Sequence, residues 1–282
     1  MFWINKSAIV LSVHGPHAVR YLNARLTNDI LRLEIGKGCL AAALTPQGKT
    51  EAIFLVLKKA ADSALIICDG GERAAVLAAF RRYIVADRVE VQDVSASFEV
   101  YHSYSLIADH AEVASINSTK NIGNSWLVGR YRSDQLGIDI IKSKEDALGF
   151  IKDDSLTDEE AKALRVAAKI PSFPEELEDR LFLEAHLPGS ISSTKGCYTG
   201  QEVVERILSH GKSPKTLKAV RFMGTDPAIG AKVVFNNTNV GEVVSKVFST
   251  KLNSLIGFVS IKNDDSIATS NLTADGASLV DL

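Results

Sequence analysis

The segment "STKGCYTGQE", residues 193–202, places a lysine, a cysteine, a tyrosine and an acid within one short stretch of the chain. A cysteine reacts as its thiolate, which serves as a nucleophile or as a soft metal ligand. Free cysteines are also common as buried, inert residues. The sequence leaves both alternatives open for Cys197, a working thiol or a cysteine that only shapes a turn.

The residues after the cysteine predict the start of a helix. Thr199 and Glu202 have the spacing of a capping box, so we expect the helix to begin near Gly200. Cys197 would then precede a helix N-terminus, where free backbone N–H groups and the helix dipole favour an anion. The apolar face of the predicted helix consists of Val203, Val204, Ile207 and Leu208.

Neighbouring residues in the same segment also favour a reactive thiol. Lys195 lies just before the cysteine, and a nearby positive charge favours the ionised form of a thiol. Gly196 and Gly200 leave room for a ligand or for another backbone segment to approach. Cys197 is therefore the candidate catalytic residue. The motif around it comprises Lys195, Gly196, Tyr198, Gly200, Gln201 and Glu202.

The other two cysteines, Cys39 and Cys68, lie in apolar runs and are expected to be core residues. Three widely spaced cysteines without a C-x-x-C pair argue against a disulfide framework and against a zinc site. The six histidines also lack ligand spacing, so we predict no metal site within the chain. Iron–sulfur clusters usually take four thiolate ligands, so any cluster chemistry here would need ligands from a partner.

The composition indicates a folded protein without a bulk electrostatic partner. Of the 282 residues, 46% are hydrophobic, which is enough to bury a large core. The 32 basic and 34 acidic residues are scattered along the chain, so no nucleic-acid partner is expected. Charged residues interrupt every apolar stretch, and the first residues lack the features of a signal or transit peptide. We therefore expect no membrane contact and a cytoplasmic location.

The first part of the chain has a mixed order of strands and helices. The segment "PHAVRYLNARL" predicts a helix opened by Pro16, and "CLAAALTPQGKTEAIFLVL" predicts a hairpin. "ALIICDG" is typical of a buried strand, and an amphipathic helix is predicted after it. This order favours α+β subdomains over a doubly wound sheet. The apolar face of that second helix consists of Val76, Phe80, Tyr83 and Ile84.

Further along the chain, "SWLVGRY" and "GIDII" predict short strands. Thr157 and Glu160 have capping-box spacing, and the helix that they open would end at Pro171. A second helix is expected from near Ser172, with Pro174 in its first turn. From about Leu217, short β-branched runs alternate with turn residues, which predicts a small all-β barrel or sandwich.

The motif "KGCYTGQEVVERI" resembles the signature of the YgfZ-type folate-binding proteins. Members of that family assist iron–sulfur cluster assembly or repair, and they are related to the aminomethyltransferase of the glycine cleavage system. Other segments of the chain resemble the same family, namely "GPHAVRYLNARLTNDI", "LTPQGKTEAIFLV", "LRVAAKIP" and "VGEVVSKVFSTKLNSLIGFVSI". Together the similar segments span nearly the whole chain.

The resemblance implies an α+β fold. Two interlocked N-terminal α+β (ferredoxin-like) subdomains, residues 1–210, and a small C-terminal all-β barrel, residues 217–282, are expected around a central cavity. The cavity would hold tetrahydrofolate as cofactor. By similarity to the aminomethyltransferases, Asp139 in "GIDII" and Arg165 in "LRVAAKIP" are the expected folate contacts.

The resemblance also implies a function, which is binding of tetrahydrofolate in support of iron–sulfur enzyme assembly or repair. Cys197 would lie at the mouth of the folate cavity, as a metal ligand or as a nucleophile. The expected partners are the iron–sulfur assembly machinery or its client enzymes.

Two other functions remain open at this point. One is a true aminomethyltransferase, although the transferases carry a paired acid where this chain has Glu51 followed by Ala52. The other is a folate-binding interaction module without chemistry of its own. Whether the protein is an enzyme therefore stays undecided by the sequence.

Overall fold

The computed structural model describes residues 1–151 and 155–282, and in this part of the chain the strands form two open sheets and a closed barrel. The strands are β1 (Phe2–Ile4), β2 (Ile9–His14), β3 (Gly38–Leu44), β4 (Thr50–Ala60), β5 (Ser63–Cys68), β6 (Glu90–Asp93), β7 (Phe98–Ser103), β8 (Thr119–Ile122), β9 (Ser125–Tyr131), β10 (Leu136–Ser143), β11 (Ser155–Leu156), β12 (Lys215–Met223), β13 (Lys232–Phe235), β14 (Thr238–Ser249), β15 (Ser254–Lys262), β16 (Leu272–Ala274) and β17 (Ala277–Asp281). The α-helices are α1 (Ala18–Arg25), α2 (Arg73–Arg81), α3 (Asp158–Ala167) and α4 (Gln201–His210).

The two open sheets are interlocked by the path of the chain. One sheet has the order β11-β1-β7-β10-β9-β8, and the other has the order β3-β4-β5-β2-β6. The chain starts in the first sheet with β1, builds the second sheet, and then returns to the first with β7, which pairs antiparallel with β1. The expected α+β fold with two intertwined sheet subdomains is therefore confirmed.

Strand β4 is apolar on both of its faces because each face packs against a different layer. Alternate residues of a strand point to opposite sides. Phe54 and Val56 pack with the helix layer of α1 and α2, whereas Leu55 and Leu57 pack with Trp126 and other residues of the first sheet. The predicted hairpin of β3 and β4 is confirmed, and its continuous apolar run reflects this burial between two layers.

The C-terminal strands β12 to β17 close into a barrel in the order β12-β15-β14-β13-β16-β17, as the sequence predicts. Helix α3 packs Ala163 and Val166 against the barrel residues Ile256 and Phe258. The predicted capping box at its start is confirmed, because Thr157 accepts from the Glu160 N–H and Glu160 accepts from the Thr157 N–H. The same helix thus links the barrel to the sheets.

Two predicted helix boundaries differ from the structure. Helix α1 begins at Ala18 with His17 as its N-cap, so Pro16 lies outside the helix rather than in its first turn. Helix α2 ends at Arg81, so Tyr83 and Ile84 lie beyond it, Tyr83 in a turn and Ile84 in the loop that follows. The ring of Tyr83 instead stacks under the Arg25 guanidinium, whose Cζ lies 4.6 Å from the ring centroid.

The helix predicted from Ser172 is wrong, because the segment that contains Pro174 forms consecutive turns. The backbone of this segment is hydrogen-bonded to the first residue of strand β4. The Thr50 N–H donates to the Arg180 carbonyl, and the Asp179 N–H donates to the Thr50 carbonyl. The Ser172 N–H and hydroxyl donate to the Glu176 carboxylate. These tertiary hydrogen bonds outweigh the local helix preference.

No helix in the described residues combines the length and the apolar character that a bilayer crossing requires.

Candidate functional site

A cavity lies between the two sheets and the segment that follows α3, and it has two adjoining lobes. The first lobe has a volume of about 310 Å³ and the second a volume of about 400 Å³. Both values lie within the range of small-molecule sites. The residues that line both lobes are Asp69, Arg132, Arg165, Ser172 and Phe173.

The two lobes differ in their walls. The first lobe has apolar walls from β3, β4 and the segment after α3, with charged groups on one side. The second lobe has three aromatic side chains in its lining, Trp3, Tyr104 and Phe173. Burial raises the pKa of Tyr104 to about 12, so its hydroxyl is neutral and able to donate. The apolar residues of the first lobe include Leu40, Ile53, Ile170, Pro171, Phe173 and Leu187.

A network of two aspartates and two arginines forms the wall behind the cavity. Arg132 donates from Nε to Asp139 Oδ1 at 2.7 Å and from Nη2 to Asp69 Oδ1 at 2.6 Å. Arg130 donates from Nη1 to Asp139 Oδ2 at 2.9 Å and from Nη2 to Asp69 Oδ2 at 3.2 Å. Both guanidinium groups therefore bridge the same pair of carboxylates, which fixes their orientation.

Burial alone would raise the pKa of both carboxyl groups. The positive charges of Arg132 and Arg130 outweigh that effect, so the pKa of Asp139 is held well below its ordinary value and that of Asp69 is also lowered. Burial lowers the pKa of His102, whose Nδ1 lies 2.8 Å from Asp139 Oδ1. Because Asp139 is ionised, the His102 ring donates this hydrogen bond from Nδ1.

Asp139 does not face the cavity. Its side chain is 2% exposed, and both oxygens are occupied by Arg130, Arg132 and His102. The carboxylate that lines both lobes is that of Asp69, which directly follows β5. The folate contact expected at Asp139 stays a prediction, and the geometry gives this residue the role of positioning the two arginines.

Arg165, the other residue expected by similarity to contact folate, lies on the cavity wall, and that contact stays a prediction. It donates from Nη1 and Nη2 to the Glu176 carboxylate at 2.9 and 3.1 Å, and from Nη1 to the Ile170 carbonyl at 2.7 Å. Glu176 is fully buried and also accepts from the Ser245 hydroxyl of the barrel at 2.7 Å. The barrel thereby fixes the cavity wall through Glu176 and Arg165.

Cys197 is the exposed cysteine of the described residues, whereas Cys39 and Cys68 are buried as predicted. Gly196 beside it has nothing within 4 Å of the position a Cβ would take, so the space around the loop is open. Cys197 is not among the residues that line either lobe. Its position at the mouth of the cavity therefore stays a prediction.

Lys195 and Tyr198 anchor the loop on either side of this thiol. The Lys195 ammonium donates to the carbonyls of Asn23, Leu26 and Asn28 at the end of α1. From the sequence, this positive charge is expected to lie beside the Cys197 thiol. In the structure, the ammonium instead serves as the hydrogen-bond donor for backbone carbonyls. Burial lowers the pKa of Lys195 from 10.5 to about 8.

The second anchor is the buried ring of Tyr198. It packs with Leu44, Phe182 and Val204, and it is 6% exposed. Burial raises the pKa of Tyr198 to about 12. The adjacent Thr199 N–H donates to the Ala24 carbonyl, so the loop is also tied to α1 at this end.

Helix α4 begins at Gln201, close to the predicted start, but the capping box predicted for Thr199 and Glu202 does not form. The N-cap is Gly200 in the left-handed conformation, with φ of 84°, and no side chain caps the helix. The Gln201 side chain instead accepts from the Tyr198 N–H, and Glu202 pairs with Arg206 on the surface. Glycine is required here because a Cβ would lie 2.6 Å from the Thr45 carbonyl oxygen.

Sequence reasoning missed Asp69, Arg130 and Arg132. A usable signal exists, because Arg130 and Arg132 are two residues apart along one strand and its turn, and such residues share a face. Asp69 likewise follows a buried strand and precedes the pair Gly70–Gly71. In the described residues, no group of three or more histidine, cysteine, aspartate or glutamate side chains is arranged to hold a metal ion.

No family model matches the chain. The chain is 22% identical over 212 residues to an uncharacterized protein of Haemophilus influenzae, a match that covers 74% of this chain and 69% of that protein. It is 25% identical over 237 residues to the "Iron-sulfur cluster assembly factor IBA57 homolog, mitochondrial" of Neurospora crassa. That match covers 79% of this chain and 54% of the relative, so the chain spans about half of the relative's length.

The fold is similar to that of the glycine cleavage system aminomethyltransferase T from Bartonella henselae. The superposition has a TM-score of 0.82 and covers 99% of this chain and 83% of the transferase, at 14% sequence identity. The chain therefore has an aminomethyltransferase-like fold.

Proposed function

We propose that this protein binds tetrahydrofolate in its two-lobed cavity and assists the assembly or repair of iron–sulfur enzymes, with Cys197 as its working thiol. The observation that carries the proposal is the anchoring of the loop around that thiol. Lys195 and Tyr198 are fixed on either side, and the two residues between them, Gly196 and Cys197, are exposed. A cysteine that served packing alone would be buried, as Cys39 and Cys68 are.

The cavity residues fit a folate. A pterin ring presents N–H donors, and Asp69 offers an ionised carboxylate to both lobes. Apolar walls and aromatic side chains suit the flat rings of the ligand. Arg132 and Arg130 hold Asp69 in place, and Asp139 holds the arginines from behind. When bound, the folate would supply a carrier for one-carbon groups, whereas this chain supplies its binding and orientation.

The iron–sulfur part of the proposal is supported by the similarity to the Neurospora relative, which is named as an iron–sulfur cluster assembly factor homolog. A thiolate is a soft ligand of the kind that iron–sulfur clusters take. One exposed cysteine supplies one ligand, so the remaining ligands would come from the assembly machinery or from a client enzyme.

The decisive experiment separates folate binding from the thiol. Cys197→Ala is produced alongside Cys39→Ala, which removes a buried thiol instead. In cells lacking the native copy, the Cys197 variant should reduce the activity of iron–sulfur enzymes, whereas the Cys39 variant should support it. Both purified variants should bind tetrahydrofolate as the unaltered protein does. Full enzyme activity with Cys197→Ala would reject the role of the thiol and leave a folate-binding interaction module.

An aminomethyltransferase is the second candidate, because the fold is that of aminomethyltransferase T. The acid at the corresponding turn, Glu51, is engaged elsewhere: it pairs with the buried Arg25 and with Arg82 at 2.6 Å, and it lines neither lobe. Asp69 is the acid available in the cavity, and two arginines already hold it. A turnover assay with an aminomethyl-lipoyl carrier protein tests this candidate, and release of methylenetetrahydrofolate would support it.

A further inference from the structure

Lys169 has a backbone conformation that usually belongs to glycine. Its φ is 61°, directly after the last residues of α3. Its N–H donates to the Val166 carbonyl and the Ile170 N–H donates to the Arg165 carbonyl, which is the hydrogen-bond pattern of a Schellman motif. Glycine is favoured at this position because a side chain strains the left-handed conformation. A lysine there stores strain, and such strain often accompanies a functional side chain.

Lys169 is one of the residues that line the first lobe. The residue is exposed, and the described part of the chain offers it no ion pair closer than 4 Å. The other basic residues of the lining are compensated: Arg130 and Arg132 by Asp69 and Asp139, and Arg165 by Glu175 and Glu176. Lys169 therefore gives this lobe an uncompensated positive charge.

The acid and the unpaired cation of the lobe differ in their exposure. Asp69 is half-buried and accepts from N–H donors, whereas Lys169 is exposed and positively charged. A ligand complementary to this arrangement has N–H donors at one end and carboxylates at the other. Folates have this polarity, and forms that carry several γ-linked glutamates add further carboxylates.

We propose that Lys169 is a specificity-determining residue that contacts the anionic tail of the bound folate and favours forms with several glutamates over those with one. This inference rests on the proposed function, since it assigns the form of the same ligand. In this arrangement the charge of Lys169 contributes to binding, and its backbone strain carries a small cost in stability.

The test measures affinity and stability together. Tetrahydrofolate with one glutamate and with three glutamates is titrated against the unaltered protein, Lys169→Gly and Lys169→Met, at low and at high salt. Removing the charge should weaken binding of the triglutamate roughly three- to fivefold, as expected for one exposed ion pair, and should change the monoglutamate less. The preference of the unaltered protein for the triglutamate should fall at high salt.

Lys169→Gly should also raise the melting temperature by about 2–4 °C, because glycine relieves the backbone strain. A gain in stability together with a loss of affinity is a result that a merely structural lysine would not give. Asn253→Gly is the matched strain control, since Asn253 has φ of 44° in the turn between β14 and β15 and lines neither lobe. Lys232→Met on β13 is the matched charge control. Both controls should leave the affinity unchanged.

Equal affinity of the two folate forms for the unaltered protein, or unchanged triglutamate binding by both Lys169 variants, would overturn the inference and leave the proposed function standing. Absence of binding by either folate form would overturn the proposed function and this inference with it.

Discussion

The ammonium of Lys195 lies 5.1 Å from the centroid of the Tyr198 ring, and the two side chains hold the ends of the loop that exposes Cys197. One anchor is polar, through three carbonyls at the end of α1, and the other is apolar, through burial of the ring. The contact between them is of the cation–π type. The position of the thiol is thus set by groups that do not themselves react.

Lys195→Met should loosen this loop. The methionine keeps the apolar stem but leaves the carbonyls of Asn23, Leu26 and Asn28 without their donor, which should cost about 1–3 kcal/mol of unfolding free energy. Urea denaturation measures this loss. The alkylation rate of Cys197 should change in the same variant, and an unchanged stability with an unchanged rate would contradict the anchoring role.

The pH dependence of stability should carry the signature of Lys195. Its folded-state pKa of about 8 lies below its ordinary value of 10.5, so between these pH values the unfolded chain binds more protons than the folded one. The free energy of unfolding should therefore rise with pH across this window. Comparing the pH profiles of the unaltered protein and Lys195→Met isolates the contribution, and parallel profiles would argue against a buried ammonium.

Gly200→Ala should destabilise the protein more than Gly211→Ala. Both glycines are left-handed, with φ of 84° and 81°, at the two ends of α4. A Cβ at Gly200 would lie 2.6 Å from the Thr45 carbonyl oxygen, whereas at Gly211 nothing lies within 4 Å. We expect a loss of about 1 kcal/mol for Gly211→Ala from backbone strain and about 2–3 kcal/mol for Gly200→Ala. Equal losses in thermal unfolding would show that the close approach to Thr45 is unimportant.

Asp139→Asn should mainly lower the free energy of unfolding, whereas Asp69→Asn should mainly weaken tetrahydrofolate binding. Asp139 is buried, and removing its charge leaves Arg130 and Arg132 undercompensated, at a cost of about 3 kcal/mol in denaturant unfolding. Asp69 is more exposed and faces the cavity, so Asp69→Asn should cost less stability and weaken tetrahydrofolate binding more. The two variants act as controls for each other. We expect Asp69→Asn to be the more stable of the two variants and the weaker in tetrahydrofolate binding. Weaker binding by Asp139→Asn would instead assign the ligand contact to Asp139.

The sequence predicts most of the local structure because its signals are local. The hairpin of β3 and β4, the capping box of Thr157 and Glu160, and the start of α4 near Gly200 depend on neighbouring residues and are found in the structure. The helix from Ser172 fails because its backbone bonds to β4, far away in the sequence. The capping box at Thr199 fails because Gly200 and the Gln201 side chain take over the helix start.

The sequence by itself determines the α+β order, the barrel, and Cys197 as the cysteine outside the apolar runs. Only the tertiary structure decides how the charges are used. The Lys195 ammonium donates to a backbone carbonyl at the end of α1 instead of contacting the thiol. Asp139 accepts from Arg130 and Arg132 instead of lining the cavity. The physical reason is that a buried charge must find partners, and here those partners come from other elements that only folding brings within hydrogen-bond distance.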